Sequence, residues 1–409
     1  MYDTSRIHEL LSQRREGFML PQPFYNEAQI FEFDMDAIFK TSWIFVAFDI
    51  ELPKVGSYLA MSIGRTPIVL VRGRDGLVRG FFNTCRHRGA QLCSDGKGRA
   101  QRIVCPYHQW SFDLDGRLAV ARGMNSDFEI ENYGLIPIRV ESVEGTIYVC
   151  LSDSPPDFAP FRDAFAPLVA PYRLKDAKIA AEQIILEKAN WKLAMENARE
   201  CAHCAVGHPD LCLTLVDFFT LDYENEQDPH LVEYARRLKE SGRPVGAVEG
   251  DWFSTGHMPL KPGKKSITMD GDYVVQKHLM SEPGLGALRW TLQPHCYNVG
   301  LQDYIFTFSA IPVSAEETLI HSKWLVHGEA IEGVDYSVDE LQKLWKVTNE
   351  QDVVLTERNQ RGVNSIGYRP GPYIEGAESG CQKFADWYCA EAHEYLRKAE
   401  PDRAAKTAA

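Results

Sequence analysis

Cys85, His87, Cys105 and His108 stand in two short boxes, CxH within TCRHRG and CxxH within CPYHQW, each directly after a strand-like run. Two loops at strand ends, each offering one Cys and one His, can pinch a small inorganic centre between hairpins. Two soft thiolates can hold one iron while two imidazoles hold a second. Exchanging two thiolates for neutral imidazoles raises a [2Fe–2S] potential from about −400 mV toward roughly −150 to +300 mV, so such a centre accepts electrons readily. The same four residues could instead hold zinc, although zinc loops more often use CxxC or HxxxH spacing, or could be unrelated.

A second group lies in residues 190–209, NWKLAMENARECAHCAVGHP. Read as one helix, the segment puts Glu196, Glu200 and His203 on one face at i, i+4 and i+7. Gly207 can end that helix and Pro209 keeps it from resuming, so the chain can fold back and bring His208 beside His203. A lone helical histidine is usually a core residue. Two that flank a break, with carboxylates nearby, read better as ligands that need a third group to complete a 2-His-1-carboxylate site with positions open to O2. The later segment DELQKLWKVTNEQDVVLTERNQRG supplies a candidate. Leu341, Leu344, Thr348, Asp352, Leu355 and Asn359 share a helical stripe there, and Glu350 points elsewhere. An acid on a buried stripe is costly unless paired or metal-bound, so Asp352 is either the third ligand or a hydrogen-bonded core residue.

The elements that must carry these groups follow from periodicity. Residues 20–27 read as an extended lead-in, and residues 30–43 as a short helix that turns into strand. Residues 44–151 are short β-rich runs punctuated by turn signals, and the Pro-rich stretch 152–160 reads as a linker. Beyond it, helical patterns near 161–176 and 190–206, strand-like runs near 266–276, 287–293 and 303–327, and helices near 337–361 and 379–398 indicate α+β structure. Residues 222–262 show no clear period and read as a lid or a surface excursion, and residues 402–409 as a disordered tail.

The chain has 409 residues, 44% of them apolar and 25% charged. That composition fits a folded protein of two or three cores. Its 44 Lys plus Arg against 57 Asp plus Glu give a net charge of −13, which argues against a nucleic-acid or anionic-membrane binder. No apolar run is long enough for a membrane span, and the N-terminal residues lack a signal-peptide core, so a cytoplasmic location is expected. Ten cysteines at irregular spacing point to thiols and metal ligands more than to a disulfide framework.

CRHRG and CPYHQW, followed by NWK, ENxxE, H, HP and a distant QDVxL helix running into NQRG, resemble the Rieske non-haem iron oxygenases over residues 20–388. The resemblance implies an all-β Rieske [2Fe–2S] domain (44–155) inserted near the N-terminus of a helix-grip-like α+β catalytic domain (156–409), with residues 1–43 packing on the latter. It implies Cys85 and Cys105 on one iron of the cluster and His87 and His108 on the other, with His203, His208 and Asp352 on a mononuclear iron. Glu200 would link a Rieske histidine of one subunit to His203 of the next in a homotrimer, and Asn197 would lie near the iron. Ala202 departs from the family, where Tyr commonly precedes the histidine. Arg86 and Arg88 form a basic islet beside the cluster boxes, either a docking point for the reductase or solvated surface charge.

LPQPFY, WLVH at 324–327, EGVDY at 332–336, PGPY at 370–373 and FADWY at 384–388 are most similar to the quaternary-ammonium branch, that of stachydrine demethylases and glycine betaine monooxygenases. Glu in place of the Asp usual in ring-hydroxylating dioxygenases at position 200 agrees, while PHCYN at 294–298 departs from close relatives. The resemblance implies O2-dependent N-demethylation of a betaine with release of formaldehyde, fed by a flavin and iron–sulfur reductase. Hydroxylation of an aromatic ring is the alternative within the fold. A plain electron carrier would leave the second histidine pair unexplained. Some of Phe218, Phe219, Tyr223, Trp252, Trp290, Tyr297, Tyr304, Phe306 and Phe308 could cage a methylated ammonium, although most aromatics in any chain are core.

Overall fold

A computed structural model describes residues 2–216, 221–223 and 227–407, with side chains through residue 398. The chain divides into two compact units, Phe39–Asp157 and a second formed by Met1–Ile38 with Phe158–Ala409.

The smaller unit is all β. Its ten strands are β1 (Ile44–Phe48), β2 (Ser57–Ile63), β3 (Thr66–Arg72), β4 (Val78–Phe82), β5 (Gly96–Arg99), β6 (Ile103–Val104), β7 (Ser111–Phe112), β8 (Leu118–Val120), β9 (Pro137–Val143) and β10 (Thr146–Cys150). Seven of them form one sheet in the order β1-β10-β9-β4-β3-β2-β5, and β6, β7 and β8 form a second. Alternating apolar residues from both, including Val69, Val71, Phe81, Ile103 and Phe112, build a core that also holds Cys85, Cys105 and Trp110.

In the larger unit, α1 (Thr4–Ser12), α2 (Pro23–Asn26) and α3 (Ala28–Asp34) precede α4 (Ala159–Val169). A seven-stranded antiparallel sheet follows the order β11 (Ala177–Glu187), β17 (Glu317–His327), β16 (Ile305–Ser314), β15 (Cys296–Gly300), β14 (Ala287–Leu292), β13 (Phe253–Met258) and β12 (Val248–Glu249). Between β11 and β12 the chain forms α5 (Trp191–Asn197), α6 (Cys204–Gly207) and α7 (Pro229–Glu240), and after β17 come α8 (Val338–Val363) and α9 (Ser379–Thr407). Antiparallel partners share a face, so the pairs Tyr297↔Phe308 and Val299↔Phe306 point one way and Trp290↔Asn298 the other. Trp290 packs on Phe165 of α4, with ring centroids 5.1 Å apart. The opposite face receives Leu341, Leu344 and Trp345 of α8.

A buried ion pair joins the N-terminal helices to the rest of this unit. Lys192 Nζ meets Asp34 Oδ2, both side chains fully buried, and also donates to Phe24 O at 3.0 Å. Tyr388 Oη and Trp191 Nε1 donate to the same carboxylate at 2.7 and 3.0 Å, so all of its charge is hydrogen-bonded.

Five local expectations need correction. Residues 20–27, expected as an extended lead-in, hold helix α2, with Pro23 in its first turn, where the missing N–H is not needed. Residues 266–276 form turns and no strand, because their backbone amides turn inward to other acceptors, with Val274 N–H donating to Asp303 Oδ2 at 2.9 Å. The helix expected over 161–176 ends at Val169 and continues in short 3-10 turns. Residues 222–262 hold α7, whose Leu231, Tyr234, Ala235 and Leu238 are buried, and two strands of the sheet. Helix α9 runs to Thr407, through part of the expected tail.

Candidate metal centres

The first Cys/His box and the second are built alike. Cys85 N–H donates to Ala90 O at 2.8 Å and Gly89 N–H to Cys85 O at 3.0 Å; Cys105 N–H donates to Trp110 O at 2.8 Å and Gln109 N–H to Cys105 O at 3.0 Å. The fourth residue after each cysteine is left-handed, Gly89 at φ 76° and Gln109 at φ 62°. Glycine adopts that conformation freely, whereas Gln109 is held in it. The two loops bury both sulfurs and leave the imidazoles at the rim, with His87 exposed and His108 half-buried. His87 stacks on the buried Trp110 ring at 4.8 Å and 11°, and meets His108 edge-on at 4.7 Å.

Burial pushes the Cys85 thiol up, opposed by the backbone N–H groups of His87 and Arg88 that point at its sulfur. Hydrogen bonds to sulfur are among the factors that tune an iron–sulfur potential. Of the basic islet, Arg86 turns back to donate to Gly134 O at 2.8 Å. Arg88 remains at the rim, 2.5 Å from His108 Nε2 and over the Tyr107 ring.

The second group does not lie on one helix. Helix α5 ends at Asn197, and residues 198–203 form a turn before α6. The i, i+4, i+7 face of Glu196, Glu200 and His203 therefore does not exist. Glu196 points into the core, where it accepts from Tyr25 Oη at 2.9 Å and Tyr373 Oη at 3.2 Å. Glu200 instead caps the turn, its carboxylate accepting from the N–H groups of Ala202 and His203 and facing His203 Nδ1. Gly207 ends α6, and His208 folds back until its Nε2 is 3.1 Å from His203 Nε2.

Asp352 reaches the pair from α8. Its Oδ1 is 2.8 Å from His208 Nε2 and 3.5 Å from His203 Nε2. The expected stripe is buried through Thr348, but Asp352 and Leu355 are only half-buried and Asn359 is exposed, and Thr356 and Gln360 take the buried positions further on.

Three donors at right angles on one cation, each about 2.0–2.2 Å from it, lie about 3 Å from one another, so these separations fit a single metal. Among the described residues only these three bring three such donor atoms within 4.8 Å. In the smaller unit, two buried cysteines with two imidazoles at the rim fit a two-iron cluster, one iron taking the thiolates and the other the imidazoles. Burial disfavours a charged His203, yet Asp352 and Glu200 outweigh it and raise that imidazole to about 9. The site is built for positive charge.

Gln351 was not legible as a site residue. Its Oε1 lies 2.8 Å from His208 Nδ1, so each histidine has its Nδ1 engaged, by Glu200 or by Gln351, and its Nε2 turned to the centre. The one available signal was its place immediately before Asp352.

A cavity of about 70 Å³ opens beside the three donors, lined by Asn197, Glu200, Tyr297, Phe306, Phe308 and Trp345 among others. Trp345 stacks on Phe306 at 4.2 Å and 5°. Of the nine aromatics considered from sequence, Tyr297, Phe306 and Phe308 reach this cavity. Trp290 and Trp252 pack elsewhere against Phe165, Phe158 and Phe161, and Tyr304 is buried with its hydroxyl on Ile267 O. Tyr223 lies beside Gly246, and Phe218 and Phe219 fall outside the described residues. Trp345 was missed, although it sits seven residues before Asp352 on the same helix.

Residues 42–137 match the Rieske [2Fe-2S] domain, and residues 174–392 match the ring hydroxylating alpha subunit (catalytic domain). The chain is a Rieske oxygenase alpha subunit. This family carries a [2Fe–2S] cluster and a mononuclear iron, the two groups that the two donor sets fit. The glycine betaine monooxygenase oxygenase subunit of Pseudomonas aeruginosa (strain UCBPP-PA14) is 40% identical over 394 residues, covering 93% of this chain and 90% of that one. The carnitine monooxygenase oxygenase subunit of Escherichia coli (strain K12) is 38% identical, covering 90% of each chain. Among solved Rieske oxygenases, the quaternary ammonium monooxygenase CntA in complex with L-carnitine superposes with a TM-score of 0.71 at 25% identity, covering 94% of this chain and 98% of that one.

Proposed function

We propose that this alpha subunit is the oxygenase component of a two-component monooxygenase that removes an N-methyl group from a betaine-type quaternary ammonium. The observation that carries the proposal is the wall of the cavity. Tyr297, Phe306, Phe308 and Trp345 present rings beside His203, His208 and Asp352, and among the described residues no Lys or Arg lines it. A methylated ammonium has no N–H to donate and is held by ring faces, each good contact contributing ~0.5–2 kcal/mol. The likeness to glycine betaine and carnitine monooxygenases supports the same reading.

In this proposal Cys85, His87, Cys105 and His108 hold the cluster, and His203, His208 and Asp352 hold the iron. When bound, these groups supply electron transfer and the reduction of O2. The protein's own residues do the positioning. Glu200 and Gln351 hold the Nδ1 sides of the two histidines, the aromatic wall keeps the N-methyl group dry, and Asn197 offers an amide to the polar end of the substrate. Hydroxylation of one methyl carbon gives a hemiaminal, which splits into formaldehyde and the demethylated amine.

Electrons would come from NAD(P)H through a separate flavin and iron–sulfur reductase. The working form would be a cytoplasmic homotrimer in which Glu200 also meets a Rieske histidine of the next subunit. Among the described residues no helix is long and apolar enough to cross a membrane.

The test is NADH-coupled formaldehyde release with a matching reductase across glycine betaine, proline betaine, carnitine, choline and a few simple aromatics. Release from the quaternary amines alone is expected. Ring hydroxylation without formaldehyde would overturn the proposal.

A further inference from the structure

Cys201 and Cys204 are joined by a disulfide across Ala202 and His203, with their Cα atoms 4.9 Å apart. Both residues line the cavity that holds His203, His208 and Asp352. Cys204 Sγ lies 4.0 Å from His203 Nε2, a donor atom of the candidate iron site, and Cys204 is only 5% exposed. Cys201 is half-buried on the same turn, whose backbone N–H groups grip the Glu200 carboxylate. No other cysteine among the described residues lines this cavity.

A thiol so placed is exposed to whatever leaves the site when oxygen chemistry goes astray. Two-electron reduction of O2 without substrate oxidation yields hydrogen peroxide, which converts a thiol to a sulfenic acid and then, irreversibly, to a sulfinic acid. A second thiol within bonding reach intercepts the first product.

We propose that Cys201 and Cys204 form a reversible peroxide-capture pair, with Cys204 the oxidised sulfur and Cys201 the resolving one. In the first step Cys204–SH and H2O2 give Cys204–SOH and water, the S–O bond forming as the O–O bond breaks. In the second, Cys201–SH attacks that sulfur, the S–S bond forms and a second water leaves. The two electrons taken by peroxide come from the two thiols, and a small dithiol returns them. The bridged form keeps His203 Nε2 3.1 Å from His208 Nε2, so capture leaves the triad in place. A sulfinate at Cys204 would add bulk and negative charge beside a ligand nitrogen.

The experiment uses the full-length enzyme with both metal groups, treated with hydrogen peroxide in the absence of any amine, so its outcome is independent of the substrate proposed above. After alkylation, mass spectrometry of the peptide holding residues 201–204 should show a loss of about 2 Da that dithiothreitol reverses. In Cys201→Ala, and equally in Cys201→Ser, Cys204 should gain about 32 Da irreversibly, and bound mononuclear iron should fall. Cys212→Ala should behave as wild type. A bridge that dithiothreitol cannot open, thiols at 201 and 204 that survive while other cysteines oxidise, or equal sulfinate in wild type and Cys201→Ala would each overturn the proposal.

Discussion

His208 Nδ1 lies 2.8 Å from Gln351 Oε1, a contact that decides which nitrogen of His208 can take a metal. The amide oxygen accepts from Nδ1–H, so Nε2 carries the free lone pair and faces Asp352.

Gln351→Leu should therefore weaken mononuclear iron binding about 10- to 100-fold, since outer-shell partners of metal-bound histidines have effects of that size. Iron titration of the apoprotein reads it, with the visible spectrum of the Rieske cluster as an internal control. Unchanged iron affinity would show that the tautomer of His208 is set by something else.

Glu200→Gln should leave both metal groups bound, because the amide oxygen, in the place of Oε1, can still accept from His203 Nδ1, while the turn N–H groups lose the Oε2 acceptor. Turnover should nearly vanish if the carboxylate carries the link between the centres. Wild-type turnover at full iron content rejects that role.

His108→Cys should lower the cluster potential toward the ferredoxin range near −400 mV, since a thiolate favours the oxidised form more than a neutral imidazole does. Redox titration followed by EPR reports it. A mutant that keeps its cluster at an unshifted potential removes His108 from the ligand set.

Asp34→Ala leaves the Lys192 amine fully buried with its carboxylate gone. Removing one partner of a buried pair costs about 3–5 kcal/mol, so the larger unit should unfold at lower urea while the Rieske unit holds its transition. Coincident, unshifted transitions would contradict the assignment of residues 1–38 to the larger unit.

Burial raises Glu196 to about 7, while hydrogen bonds from Tyr25 and Tyr373 pull the other way. Its folded pKa exceeds the unfolded value near 4.3, so the folded state binds the proton more tightly. The stabilisation is full below about pH 4.3 and is lost as pH rises toward 7, at up to ~1.4 kcal/mol per pH unit. Glu196→Gln should flatten that slope over the same window in urea titrations. An unaltered slope would assign the proton elsewhere, with Glu187, also raised to about 7 by burial, the next candidate.

What could be read without a structure was what depends on short sequence separations. CxH and CxxH lie within single turns, and His203 and His208 are five residues apart across a Gly break, so their residue types and spacing already mark them as candidate ligands. Asp352 was reachable because helical period is a local property, and its stripe survives through Thr348. The turn at residues 198–203 was not reachable. NWKLAMENARECAHC has helix-compatible residues throughout, and what ends α5 at Asn197 includes contacts of long range: Glu196 with Tyr25 and Tyr373, and Arg199 Nη2 with Gln293 Oε1 at 2.9 Å. Tertiary packing overrides a weak local preference there. Which of nine aromatics face the cavity was likewise a matter of strand register, since a slip of one residue sends Tyr297 and Phe306 to the opposite face. The Asp34–Lys192 pair, 158 residues apart, carries no local signal, and the Gln351–His208 contact, 143 apart, only the place of Gln351 next to Asp352. Side chains that meet only after the sheet and helices have packed are selected by the geometry of that packing, and a one-dimensional pattern holds no record of it.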